Sequence, residues 1–153
     1  MTNITNDVAP NLARKLMNPP LPQWDISAPV VRNIPTRILV VDDEPLIRWS
    51  VSETLAGLGL DVAQAGDAAS ALRHVTHPPA FDVILLDLRL PDMRDLSLLA
   101  TLRQLHPGTS IILMTAFGSD EVVERAIALG VDAVLNKPFE LGTLVDAVYR
   151  AVP

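Results

Sequence analysis

The sequence contains no cysteine among its 153 residues, and this absence excludes several classes of chemistry. Disulfides, thiolate metal sites and cysteine nucleophiles are all ruled out, and the composition is compatible with a reducing compartment. No apolar run is long enough to span a membrane, and the N-terminus lacks the basic start and apolar core of a signal peptide. These absences predict a soluble, cytoplasmic protein.

Positive charge is also scarce, because 12 Lys and Arg residues face 18 Asp and Glu residues, giving a net charge of −6. Binding to nucleic acid generally requires a basic surface that neutralises phosphates, so direct nucleic-acid binding is not expected. The imbalance is uneven: residues 1–36 carry a net charge of +1, so the remainder carries −7. The acidic residues of the domain therefore need an explanation.

Residues 1–36 hold six of the 13 prolines and show no sustained hydrophobic period. This composition predicts a Pro-rich, disordered or extended N-terminal tail, with polyproline character at residues 19–22. A partner-binding role for the tail is the alternative, but composition alone favours a plain tail. From Arg37 the pattern changes, and residues 37–153 form the predicted domain.

Five short apolar segments alternate with five segments of helical spacing between residues 37 and 152. The predicted strands lie at residues 38–41, 61–65, 83–86, 110–115 and 131–135. The predicted helices begin near Pro45, Asp67, Leu96, Ser119 and Glu140. Because parallel strands need long crossover connections, this alternation predicts an α/β fold with a doubly wound parallel sheet covered on both faces.

The chain is centred on residues 81–91, where an unbroken apolar run ends at Asp87. Such a run predicts a strand buried on both faces, and Pro91 prevents it from continuing far. A carboxylate at the carboxyl end of a buried parallel strand lies where open α/β sheets place their chemistry. The alternative from this stretch alone is that Asp87 caps the next helix.

The ends of four predicted strands carry Asp42 and Asp43, then Asp87, Thr115 and Lys137. Since parallel strands end along one edge of the sheet, these five side chains are predicted to gather there. Neighbouring carboxylates repel one another unless a cation holds them, and oxygen ligands suit Mg²⁺. With the metal present, Asp87 could attack phosphorus, while the hydroxyl and ammonium groups bind phosphoryl oxygens.

These residues resemble the receiver domain of bacterial two-component response regulators, and the resemblance covers residues 37–152. It rests on Asp42-Asp43, Asp87 with Pro91 four residues later, Thr115-Ala116 and Lys137-Pro138-Phe139. The resemblance implies a flavodoxin-like receiver fold, in which five parallel strands in the order 2-1-3-4-5 are packed with five helices. It also implies a single-domain response regulator or phosphorelay receiver.

The resemblance further implies that Asp87 is the phosphoacceptor, taking its phosphoryl group from a sensor histidine kinase or a histidine phosphotransfer protein. The implied ligands of Mg²⁺ are Asp43, Asp87 and the main-chain carbonyl of Arg89, with Asp42 acting partly through water. Glu44 could extend this acidic cluster, although its side chain is expected to face solvent.

By the same resemblance Lys137 would pair with the phosphoryl group, Thr115 would act as the switch hydroxyl, and the Lys137–Pro138 peptide bond would be cis. The switch would act on an unidentified protein target through the fourth helix, fifth strand and fifth helix, in a monomer or a phosphorylation-dependent dimer. Two positions depart from the family pattern. Val134 replaces a usual aromatic, so coupling to the switch face is either weaker or uses another side chain, or valine simply packs as an ordinary strand residue, which is the favoured interpretation. Asp95 replaces a usual glycine, and it can tolerate left-handed backbone or cap the next helix.

The alternatives are a phosphorylation-independent (degenerate) receiver and an aspartate-nucleophile phosphatase. The intact acids, threonine and lysine argue against the first. The second generally needs an acid two residues after the nucleophile, where this chain has Arg89. We therefore expect no enzymatic activity beyond the protein's own phosphorylation and dephosphorylation. We expect no output domain after Pro153, and therefore expect output through partners, the tail or competition for phosphoryl groups. Trp49 is expected only to pack.

Overall fold

The computed structural model describes residues 34–116 and 118–152. The predicted N-terminal tail lies outside the described residues up to position 33, so its disorder and its boundary with the domain stay predictions. Within the described part of the chain, no helix combines the length and the apolar character needed to cross a membrane.

Within the described residues, five strands alternate with five helices, as the hydrophobic pattern predicts. The strands are β1 (Arg37–Val41), β2 (Asp61–Ala65), β3 (Val83–Asp87), β4 (Ser110–Thr115) and β5 (Ala133–Asn136). The helices are α1 (Pro45–Gly57), α2 (Ala68–Val75), α3 (Ser97–Leu105), α4 (Asp120–Ala128) and α5 (Leu141–Ala151).

All neighbouring strands pair in parallel, in the order β2-β1-β3-β4-β5. This confirms the predicted fold class and strand order. Because β1 pairs with both β2 and β3, the direction of winding reverses there, and open α/β sheets form their crevice at such a switch point. The carboxyl ends of β1 and β3 therefore flank the place where a site is expected.

Successive residues of β1 belong to different layers of the core, since side chains along a strand alternate between its two faces. Leu39 and Val41 lie in an apolar cluster with residues from α2, α3 and α4, whereas Ile38 and Val40 lie in a second cluster with residues from α1 and α5. All four side chains are fully buried. The sheet is thus covered on both faces, and its strand ends are held rigidly.

Three helices begin where the sequence signals predict. Pro45 occupies the first turn of α1, the Asp67 carboxylate accepts the Ser70 N–H at 2.6 Å, and the Ser119 hydroxyl accepts the Val122 N–H at 3.4 Å. The fifth strand begins at position 133 rather than 131, because the N–H of residue 131 is already bonded to a carbonyl in α4.

The two departures from the receiver pattern have ordinary structural roles. Val134 is half-buried and packs against the core cluster on the α2–α4 side, as expected of a strand residue. The Asp95 carboxylate accepts the Ser97 N–H at 2.9 Å, although Leu96 is the N-cap residue of α3. No described residue other than glycine has a positive φ, so left-handed backbone is not needed at Asp95.

Candidate functional site

The carboxyl ends of β1, β3, β4 and β5 surround a cleft of about 180 Å³. The residues that line it are Asp43, Glu44, Asp87, Arg89, Thr115, Ala116 and Lys137. Asp42 lies behind this lining and is fully buried. The structure therefore brings together every side chain that was predicted for the site, and it also places the main chain of Arg89 at the rim.

Lys137 is the cation at the centre of this cleft. Its Nζ atom lies 2.6 Å from Asp42 Oδ2, 3.2 Å from Asp87 Oδ2 and 3.4 Å from Glu44 Oε1. The Lys137 N–H donates to the Thr115 carbonyl at 2.8 Å, which fixes the backbone beside β4. The Lys137–Pro138 peptide bond is cis, as the resemblance predicted. One ammonium group is thus shared among three carboxylates.

Asp42 is held at each of its polar groups. Its carboxylate accepts the Glu44 N–H at Oδ1 (2.9 Å) and the Lys137 ammonium at Oδ2 (2.6 Å). Its main-chain carbonyl accepts a hydrogen bond from Arg48 Nη1 at 2.6 Å, and its N–H donates to the Ala65 carbonyl at 3.1 Å. This buried carboxylate is fixed in position by the protein itself.

Asp87 closes β3 and is 6% exposed. Its Oδ1 accepts the Arg89 N–H at 3.2 Å, and its Oδ2 accepts the Lys137 ammonium at 3.2 Å. Burial, helped by the nearby Asp42 charge, raises the pKa of Asp87, although the Arg89 N–H and the Lys137 ammonium act in the opposite direction. The side chain therefore faces the cleft and does not cap α3.

The pKa of Lys137 is also raised. Burial alone would lower it, but the hydrogen bonds and charges of Asp42 and Asp87 outweigh that effect. The ammonium form is therefore favoured in the cleft, and Lys137 remains available as a positive charge.

The acidic side chains form a donor set that fits a divalent cation. Asp42, Asp43, Glu44 and Asp87 each offer a carboxylate oxygen, and these oxygens all lie within 4.8 Å of one another. Mg²⁺ prefers oxygen ligands and is commonly bound by one or two carboxylates. A single ammonium leaves this cluster with excess negative charge, which a bound cation would relieve.

The sequence interpretation described the role of Glu44 incompletely and missed that of Gly118. Glu44 is exposed as expected, yet it also contacts Lys137, and its place directly after the acid pair was the available signal. Gly118 was missed: a Cβ there would lie 3.0 Å from Thr115 Cγ2 and from Val123 Cγ2. Gly118 therefore lies close to the buried Thr115, and a glycine three residues after that threonine was the signal.

Comparison with known proteins agrees with this combination of fold and site. The family model described as response regulator receiver domain matches residues 38–149. The response regulator protein PilR of Pseudomonas aeruginosa is 37% identical over 116 residues, covering 76% of this chain and 26% of PilR. Sporulation initiation phosphotransferase F of Bacillus subtilis is 31% identical over 117 residues, covering 76% of this chain and 94% of that protein.

Among solved structures, a CheY-like response regulator receiver domain protein from Methanospirillum hungatei superposes with a TM-score of 0.74 and 31% identity. The match covers 76% of this chain and 93% of that one. The fold is that of a two-component response regulator receiver domain. This chain belongs to the response regulator receiver domain family. It spans about a quarter of the length of the first curated relatives that it matches.

Proposed function

We propose that this protein is the phosphoacceptor receiver of a two-component or phosphorelay system, and that Asp87 accepts the phosphoryl group. The observation that supports this most strongly is the contact geometry of Asp87. Its carboxylate is buried at a strand end, 3.2 Å from the Lys137 ammonium and within 4.8 Å of the oxygens of three other acids. The donor would be the phosphohistidine of a sensor kinase or of a histidine phosphotransfer protein.

In the proposed reaction, a carboxylate oxygen of Asp87 attacks phosphorus while the P–N bond of the phosphohistidine breaks. The donor imidazole leaves with the electron pair of that bond, and an acyl phosphate forms on Asp87. The transferred group is strongly anionic, so positioning and charge neutralisation are the main contributions of the site. Lys137 supplies a positive charge, and the Thr115 hydroxyl supplies a hydrogen-bond donor.

Mg²⁺ would be held by Asp43, Asp87 and the main-chain carbonyl of Arg89. When bound, it supplies charge neutralisation for the phosphoryl oxygens. Both carboxylate oxygens of Asp42 already accept hydrogen bonds from the protein, which supports an indirect role for Asp42 through water. Asp43 is exposed, and its carboxylate accepts no comparable hydrogen bonds from the described residues, which supports direct coordination of the metal.

A protein donor would need a surface beside the cleft, and α1 offers one. Leu46 is 74% exposed and Trp49 is 57% exposed, so the expectation that Trp49 only packs was wrong. Next to them, a hollow of about 220 Å³ is lined by residues of α1 and of the segment from Lys137 to Leu141. Exposed apolar side chains around a hollow favour contact with another protein.

Output would run through the face formed by α4, β5 and α5, where Ile127 and Tyr149 are more than half exposed. Attraction of Thr115 to the phosphoryl group would favour a second arrangement of this face, read by a downstream protein or by a second copy of the chain. We place this signalling in the cytoplasm. The proposed chemistry is limited to the protein's own phosphorylation and dephosphorylation.

The proposal is tested by intact-mass spectrometry after incubation with acetyl phosphate and Mg²⁺. Wild-type protein is expected to gain one hydroxylamine-labile phosphoryl group only with Mg²⁺. Asp87→Asn should gain none, whereas Asp146→Asn, which changes an exposed acid of α5, should behave as wild type. A gain that persists in Asp87→Asn would show that the acceptor is another residue. No gain in the wild type would favour a phosphorylation-independent module.

A further inference from the structure

A second concave site lies along the outer edge of β2. Unlike the acidic cleft, it is lined by positively charged side chains. The groove has a volume of about 590 Å³. Its lining residues are Arg37, Arg48, Gln64, Ala65, Gly66, Ser70, Arg73, His74, His77, Pro78 and Phe81. We propose that this groove, called the edge groove below, binds a soluble small molecule that carries two or more linked phosphate groups. This inference goes beyond the proposed function.

The charged side chains that line the edge groove are all cationic. Three guanidinium groups and two imidazoles line the edge groove, and no carboxylate does, in a chain of net charge −6. The Arg37 charge is offset by Asp61, whose Oδ2 lies 2.9 Å from Arg37 Nε. Among the described residues, neither Arg48 nor Arg73 forms an ion pair with a carboxylate, although the Arg73 charge contributes, after hydrogen bonds from Ser70, to lowering the pKa of nearby Asp67. The groove therefore carries a local excess of positive charge that an anion can neutralise.

Arg48 is held in place by the protein before any ligand binds. Its Nη1 donates to the Asp42 main-chain carbonyl at 2.6 Å, and it is half-buried. Gly66 makes this position possible, because a Cβ at residue 66 would lie 3.0 Å from Arg48 Nη1. Among residues 34–116 and 118–152, the Asp42 carbonyl is the acceptor found for this guanidinium, and its remaining N–H groups have none. A preorganised guanidinium with free donors is suited to phosphate, which it can bind through two parallel hydrogen bonds.

The opposite end of the groove is also fixed. The Arg37 guanidinium lies 4.5 Å from the centre of the Phe81 ring and contacts the Pro79 carbonyl. Between the ends, His74 Nε2 lies 3.0 Å from the Gln64 carbonyl, which is on the edge strand. The walls are thus built from side chains with defined partners, as in a largely preformed pocket.

Shape and span select the class of ligand. Arg37 begins β1, whereas Arg48 binds the carbonyl of Asp42 just beyond the end of that strand, so the cationic groups are spread over about 15 Å. A single phosphate group could contact only some of these cationic groups. The volume also falls within the range of small-molecule sites, about 300–1,000 Å³. A concave, polar site of this size favours a small polyphosphate over a flat protein contact.

The test is calorimetric titration of the full chain with inorganic pyrophosphate and tripolyphosphate in Mg²⁺-free buffer, which prevents metal-bridged binding in the acidic cleft. Saturable binding to one site is expected, with inorganic phosphate at least about tenfold weaker. Arg73→Gln and Arg48→Gln should each weaken binding about tenfold or more, the loss expected for one charge-assisted hydrogen bond. Arg73 is exposed, so its replacement should leave the fold intact.

Two controls make the result specific. Arg125→Gln removes an exposed arginine of α4 that lies outside the groove and should leave the affinity unchanged. Asp87→Asn should also bind normally, which separates this proposal from the phosphoacceptor assignment. Absence of saturable binding, equal affinity in Arg73→Gln and wild type, or binding of a poly-glutamate peptide in preference to tripolyphosphate would each overturn the proposal.

Discussion

The acidic cleft and the edge groove differ in how their charges are balanced. In the cleft, three carboxylates contact one ammonium, that of Lys137. In the groove, three guanidinium groups are offset by one contacting acid, Asp61. The two sites are linked through Arg48, which lines the groove and binds the main chain of Asp42. Each site is left with unbalanced charge, and the sign of that charge determines which ligand would stabilise it.

One sheet can therefore carry a negatively charged site and a positively charged site only a few residues apart. The cleft collects side chains that follow strand ends, where the main chain leaves the buried sheet. The groove collects side chains from β1, from the edge strand β2, from the helices α1 and α2 and from the segment before β3.

Loss of a direct metal ligand should have the largest effect. Asp43→Asn is expected to weaken Mg²⁺ binding and to slow phosphorylation by acetyl phosphate, each by about a hundredfold, because one negative ligand is removed from the cluster. Calorimetry with Mg²⁺ and intact-mass time courses measure the two effects. Glu53→Gln changes an exposed acid of α1 outside the cleft and should match wild type. Unchanged Mg²⁺ affinity in Asp43→Asn would remove Asp43 from the metal site.

Loss of the central cation should follow. Lys137→Met leaves Asp42, Asp87 and Glu44 without their shared ammonium, so the free energy of unfolding is expected to fall by about 3 kcal/mol in Mg²⁺-free buffer. Urea unfolding measures this change. Added Mg²⁺ should restore part of the lost stability, because it neutralises the same carboxylates. Equal stability of variant and wild type would show that the carboxylates do not depend on Lys137.

Removing the Asp87 charge should raise the free energy of unfolding, by less than the loss of Lys137 lowers it. Burial raises the pKa of Asp87 in the folded state above its value in the unfolded chain. The folded protein therefore gains stability from protonated Asp87 at a pH below the unfolded pKa, and this gain is lost as the pH rises through the folded pKa. Asp87→Asn should therefore be more stable than wild type at pH 7 without Mg²⁺, by about 1 kcal/mol, and the difference should shrink as the pH falls through that window. Thermal unfolding at several pH values measures it. A difference that grows on acidification would contradict the assigned sign.

The smallest effect is expected at the link between the two sites. Gly66→Ala should push the Arg48 guanidinium from the Asp42 carbonyl and lower the free energy of unfolding by about 1 kcal/mol. Gly57→Ala is a matched control, because a Cβ there meets nothing within 4 Å and should be neutral or slightly stabilising. Chemical denaturation compares the two variants. If Gly66→Ala is as stable as Gly57→Ala, the contact of Arg48 with Asp42 contributes little.

The cleft was predictable because its chemistry follows the sheet's own geometry. Asp87 and Thr115 each end an apolar run, and parallel strands must bring such positions to one edge. The precise hydrogen bonds were not predictable, since the sharing of Lys137 among three acids depends on side-chain distances across four elements. Glu44 is an example: the sequence predicted that its side chain is exposed, but not that the same side chain also contacts Lys137.

The edge groove could not be predicted from the sequence. The second strand ends in Ala65-Gly66-Asp67, which offers no obvious functional group. Arg37 and Arg48 are separated by ten residues and lie on different elements, and they share the groove only after β1 and α1 have packed together. Trp49 lies off the stripe of Ile47, Val51 and Leu55 that packs on the sheet, and it is 57% exposed.

The most direct test of the account is to locate the phosphoryl group itself. Wild-type protein would be phosphorylated with acetyl phosphate and Mg²⁺, reduced with borohydride, digested and sequenced by mass spectrometry. An acyl phosphate on aspartate is reduced to homoserine, and the account predicts homoserine at position 87 alone. Homoserine at Asp42 or Asp43, or none under conditions that label another receiver, would contradict the assignment of Asp87 as the phosphoacceptor.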